Sequence, residues 1–84
     1  MIFESKILES QVLSKENKVK ESESILRTLL IQKLDTDQEA NVYFELFRQV
    51  NSNVSRGKAL AIYEKLYAAT PQYLFKERIQ ELNH

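Results

Sequence analysis

One glycine and one proline serve a chain of 84 residues. Sheets are joined by tight turns, and tight turns draw heavily on both residues. A chain this poor in turn chemistry is a bad candidate for strands. It is rich in Leu, Glu, Lys, Gln, Ala and Arg, all good helix formers. The sequence reads as all-α, a single domain over residues 1–84.

Hydrophobic spacing divides it into five helices. Helix one covers about Ile2 to Ser14, with Phe3, Ile7, Leu8 and Val12 on its apolar face. Ser14-Lys15-Glu16-Asn17 reads as a polar turn, although nothing in it forbids one helix running on into the next. Helix two covers about Lys18 to Leu34 and buries Val19, Ser22, Ile25, Leu26, Leu29 and Leu30. Thr36-Asp37-Gln38-Glu39 has the pattern of a capping box, with Thr36 and Glu39 reciprocally bonded. Capping accounts for these acids better than a metal site, since no histidine or further acid cluster supports one. Helix three follows, about Asp37 to Asn51, with a stripe of Val42, Tyr43, Leu46, Phe47 and Val50. Asn51-Ser52-Asn53 breaks it. Ser55 is the expected cap of helix four, about Ser55 to Ala69, whose face is Ala59, Ile62, Tyr63 and Leu66. Thr70-Pro71 closes that helix and opens helix five, about Pro71 to Leu82, with Leu74, Phe75, Ile79 and Leu82 inward.

Charge and composition narrow the function. The formal net charge is zero, so no bulk field draws the chain to nucleic acid or an anionic membrane. Arg56, Lys58 and Lys65 are the best candidates for a basic recognition helix, and Glu64 lies among them. No apolar run approaches the roughly 20 residues that span a bilayer. Met1-Ile2-Phe3-Glu4 lacks the basic start of a secretory signal. There is no cysteine, which removes disulfides, thiolate metal sites and cysteine nucleophiles, and fits a cytoplasmic location. His84, the only histidine, is the last residue and unsuited to catalysis. Glu39, Glu45 and Glu64 are spaced among Lys and Arg like solvated helix faces. The expectation is a non-enzymatic protein with no cofactor and no metal. A core this small suggests stabilisation by self-association or by a partner.

The stretch Lys58 to Tyr73, KALAIYEKLYAATPQY, goes further. Ala59, Tyr63, Leu66 and Pro71 fall, without a gap, where the second helix of a tetratricopeptide repeat has its small, aromatic, apolar and proline positions. The preceding helix resembles that repeat's first helix, with Tyr43 in the place of Trp, Leu46 of Leu and Val50 of the later aromatic. Phe47 stands where the family prefers glycine, which implies wider packing between the paired helices. Upstream, Ser22, Leu26 and Leu29 match Ala59, Tyr63 and Leu66, and Leu8 and Val12 match Leu46 and Val50. The resemblance implies a short α-hairpin solenoid: two repeat-like units, about 2–35 and 37–71, and a terminal capping helix at 71–83. A small helical bundle with coincident spacing is the alternative.

A tetratricopeptide-like array holds a peptide or partner helix in a groove lined by the first helix of each repeat. The residues of helix three that leave its stripe are Asn41, Phe44, Arg48 and Asn51, on one ridge. An aromatic anchor, a guanidinium for carboxylates and amides for peptide backbone suit recognition. Helix one contributes Phe3, Lys6, Ser10 and Leu13. The competing reading packs Phe44 on a neighbouring helix or a second copy. The expected function is an adaptor or chaperone that binds another protein or peptide. The alternatives are a helical-bundle inhibitor or immunity-type protein sequestering one partner, and a DNA-binding helical regulator.

Overall fold

The computed structural model describes residues 2–83, and His84 lies outside them. They form five helices: α1 (Ile2–Lys15), α2 (Val19–Ile31), α3 (Thr36–Val50), α4 (Asn53–Ala69) and α5 (Tyr73–Leu82). No strand occurs among the described residues. Each helix packs mainly on its neighbours in sequence, and α1 also touches α3. Loops of two to four residues join helices that pack on each other, the build of antiparallel αα-hairpins, which sets α1, α3 and α5 in one direction. The principal extents are 35 × 28 × 20 Å and the radius of gyration is 12.4 Å. A compact chain of this length has a radius of about 12 Å, so the hairpins close on one another rather than splaying.

The scarcity of glycine is met by asparagine. Asn17 (φ 64°) and Asn51 (φ 56°) adopt the left-handed conformation at the ends of α1 and α3. Asn tolerates that region better than other residues with a side chain. Past Asn17, Lys18 N–H donates to Leu13 C=O at 2.8 Å, which closes α1. Asn51 N–H donates to Phe47 C=O at 3.0 Å and closes α3. The first two helices are therefore separate. Gly57, the one glycine, takes no turn; it lies inside α4 with open space at its Cα.

Three helix starts differ from expectation. The box at α3 lies one residue upstream, on Asp35 and Gln38 rather than Thr36 and Glu39, and Asp35 N–H donates to Gln38 Oε1 at 3.1 Å. Asp is at least as good a cap as Thr, so the earlier residue takes the position. Ser52, not Ser55, caps α4, accepting from Ser55 N–H at 3.2 Å. Pro71 precedes α5 rather than starting it. It excludes the helical region for the residue before it, and Thr70 lies at φ −142°, ψ 89°. Proline thus stops α4, and α5 starts at Tyr73 after an extended Gln72.

There are two core clusters, and α3 belongs to both. Ile7, Leu26, Leu29, Val42 and Leu46 form the first, between α1, α2 and α3. Ala40, Phe44, Ala59, Tyr63 and Leu82 form the second, between α3, α4 and α5. Val42 and Leu46 face one way, Ala40 and Phe44 another, and Tyr43 bridges the two clusters. Phe44, which the sequence leaves open between an exposed ridge and packing on a neighbouring helix, is buried in the second cluster, because a helix between two hairpins needs two apolar faces.

The register expected of the upstream unit is also corrected. Leu46 is fully buried, whereas its expected counterpart Leu8 is 62 % exposed, and Val12 is 55 % exposed. Burial instead sets Ile7 against Phe44, at the same separation that relates Ser22 to Ala59 and Leu26 to Tyr63. All six of these residues are buried. These three pairs of the two hairpins thus share one offset.

Candidate partner-binding groove

The parallel odd-numbered helices leave a furrow between them. Phe3, Glu4, Ile7, Leu8, Gln11 and Asn41 line a cleft of about 280 Å³ between α1 and α3. Gln11, Ser14, Lys15, Glu45, Arg48 and Gln49 line another of about 370 Å³ between the same helices. Phe44, Arg48, Leu74, Glu77, Arg78 and Glu81 line a third, of about 360 Å³, between α3 and α5. Gln11 is common to the first and second, and Arg48 to the second and third. The three depressions adjoin on one side, with α3 in the middle.

A polar network forms the floor of the second cleft. Glu45 is buried, only 3 % exposed. Gln11 Nε2 donates to its Oε2 at 3.1 Å, and Gln49 Nε2 donates to its Oε1 at 2.9 Å. A carboxylate only accepts, so these contacts fix the sense of the Gln49 amide. Gln49 Nε2 also lies 3.4 Å from Ser10 Oγ, and its Oε1 faces the Ser22 hydroxyl. That hydroxyl is also 2.9 Å from Ser10 C=O, and its single hydrogen serves one acceptor at a time. Ser10 Oγ donates to Ile7 C=O at 2.7 Å. Ser10 and Ser22 are small enough for α1 and α2 to meet at this level, and both are fully buried.

An aromatic and cationic stack floors the third cleft. The Arg78 guanidinium lies 4.6 Å from the Phe44 ring centroid, and that of Arg48 lies 5.6 Å from it. A cation at this range is attracted to the ring face. Tyr63 meets Phe44 edge-on, with centroids 6.1 Å apart and planes at 89°. Arg78 Nη1 donates to the Tyr63 hydroxyl and to Asn41 Oδ1, the latter at 3.2 Å. Burial raises the Tyr63 phenol above its ordinary value of 10.0, and the Arg78 charge offsets part of that rise.

The expected site residues separate into three groups. Asn41, Arg48 and Phe3 line the furrow, and Phe44 contributes its buried ring to the floor of the third cleft. Lys6 lies elsewhere: it borders a depression between α1 and α2 and pairs with Glu9 at 3.8 Å. Asn51 is the left-handed stop of α3 and lines none of the three clefts. Glu45, Gln49 and Gln11 were not singled out, and neither was Arg78. Glu45 looks like an ordinary solvated acid until α1 is laid beside α3.

Among the described residues no group of acids and histidines could hold a metal ion. No helix among the described residues is long and apolar enough to cross a membrane. Two of the three basic residues of α4 are engaged within the fold. Arg56 Nε donates to Leu82 C=O, and Lys58 Nζ lies 5.3 Å from the Tyr43 ring centroid. Comparison of the chain with the profiles of known families, with characterised proteins and with solved structures finds no match.

Proposed function

We propose that this chain is a non-enzymatic protein-interaction module of tetratricopeptide-like build. It works as an adaptor or chaperone in the cytoplasm and holds a partner helix or peptide along the furrow of α1, α3 and α5. The observation that carries this reading is the adjoining of the three clefts through Gln11 and Arg48 on the face of the parallel helices. A helix laid in such a furrow meets apolar side chains (Leu8, Leu74, Phe3) and fixed polar ones in alternation. The exposed residues of α5 include Lys76, Glu77, Gln80 and Glu81, polar as those of a terminal cap are.

Site-specific photocrosslinking in the native host tests it. A photoreactive residue in place of Arg48 should give a discrete adduct. The same residue in place of Lys65, exposed on α4, should give none. Equal labelling at both positions, or none at Arg48, refutes the groove.

A second reading is favoured by Leu8 and Val12, apolar and exposed one turn apart on α1. They suit a symmetric contact with a second copy. Light scattering across a concentration series separates the two readings. A dimer dispersed by Val12→Asp, at a position that lines none of the three clefts, assigns the α1 edge to assembly, whereas a monomer at all concentrations leaves the furrow as the docking surface.

A further inference from the structure

Glu45 is the one acidic side chain buried among the described residues. The nitrogen–oxygen ion pairs found among them are Lys6–Glu9 and Arg27–Glu23, so no cation lies within 4 Å of Glu45. Its two oxygens accept one amide hydrogen each. A carboxylate offers about four acceptor positions, and two of these are left. Taking a carboxylate out of water is costly when only neutral donors meet it. Here it stands in the floor of an open cleft of about 370 Å³, which also has Lys15 and Arg48 in its lining. Arg48 is exposed and its guanidinium is directed over Phe44.

We infer that this cleft is a charge-reading pocket: Glu45 takes a lysine or arginine side chain of the bound segment. Arg48, one turn further along α3, takes an acidic side chain three or four positions from it on the same segment. This rests on the groove reading above and names the partner's chemistry. The partner is a helix with a basic residue followed or preceded, one turn away, by an acidic one. The inserted cation completes the carboxylate that the fold leaves with amide donors alone. Such a pair gains strength from leaving water and sets register along the furrow.

Selection from a displayed library of helical peptides, against the full chain, tests both levels. Wild-type protein should enrich peptides carrying Lys or Arg one turn from Asp or Glu. Glu45→Gln, checked for helicity, should lose the basic preference and weaken the selected peptides by about tenfold or more. Arg48→Glu, at an exposed position, should reverse the second preference from acidic to basic. Enriched peptides that map to α1 and α3 by amide shifts, yet lack the charge pair or ignore both substitutions, overturn the pocket and leave the groove standing. Failure to enrich any peptide on that face overturns the groove and the pocket together.

Discussion

The two cores meet on α3 and are built from different materials. The first is aliphatic and encloses a hydroxyl–amide–carboxylate network: Ser10, Ser22, Gln49, Glu45 and Gln11. The second is aromatic and carries a guanidinium: Arg78 lies over Phe44 and Tyr63, and Phe75 packs on Tyr63. In each, small residues set the helix spacing, with Ser10 and Ser22 in the first and Ala40 and Ala59 in the second, and all four fully buried. The difference lies in what fills the space beside them. A flat ring fills it with apolar surface and presents a face to a cation. Two serines leave room for polar groups that must then satisfy one another. Stability therefore rests more on the second core, and polar selectivity toward a ligand more on the first.

The widest gap between them should open at Phe44. Phe44→Ala leaves a cavity beside Tyr63 and removes the ring under two guanidiniums. It should cost about 3–5 kcal/mol by chemical denaturation, a large share of the stability of any small domain. Phe44→Leu should restore most of it. A loss under about 1 kcal/mol would break the claim that the second core carries the fold.

Gln49→Ala comes next. It withdraws a donor from the buried Glu45 carboxylate and should cost about 1–3 kcal/mol. The sharper test replaces the network by apolar groups of similar size, Glu45→Met with Gln49→Leu. Buried polar clusters exchanged in this way often keep their stability. The double variant should hold a denaturation midpoint near wild type while losing the charge preference of the furrow. A strong loss of stability would make the network a structural device and align the two cores after all.

Sequence periodicity reached the number of helices, their approximate bounds and the buried faces of α2 and α4. Those faces have one side and one period. It left Phe44 undecided between an exposed ridge and a neighbouring helix, because a one-stripe reading offers no second face to assign it to, and α3 has two stripes. The same simplification placed Leu8 and Val12 inside. An offset one residue too long suffices to turn a helical position through about 100°. The candidate groove was legible only in part. Asn41, Arg48 and Phe3 carry types that suggest recognition, whereas Glu45 and Gln11 acquire a role only when two helices distant in sequence lie side by side.

Tyr63→Phe probes the second core more gently, since it removes only the hydroxyl on Arg78. About 1 kcal/mol of stability should be lost at neutral pH. Burial raises the Tyr63 phenol in the folded state. The unfolded chain therefore releases this proton first as the pH climbs through 10, and the folded state binds more protons there. Stability from this group is complete below pH 10 and declines above it, up to the raised folded value. Tyr63→Phe should flatten that decline in alkaline denaturation curves. The same slope in both proteins would show that the phenol titrates freely and is not held in the core.

The smallest effects compare how the two hairpins turn. Asn17 and Asn51 both hold left-handed stops. Asn17→Ala and Asn51→Ala should each cost about 1 kcal/mol, since alanine pays the full steric cost of that conformation. Gly57→Ala should do the reverse. Its helix provides open space for the methyl group and no left-handed φ, so removal of the glycine's backbone freedom should add about 0.5–1 kcal/mol. Thermal melts of the three variants would rank them. If Asn17→Ala proves silent while Asn51→Ala does not, the first hairpin turns by another route and its equivalence with the second fails at the loop. Equal costs would extend the equivalence from the buried faces to the turns. The one glycine would then be the residue the fold needs least, with the asparagines doing in each hairpin what glycine does elsewhere.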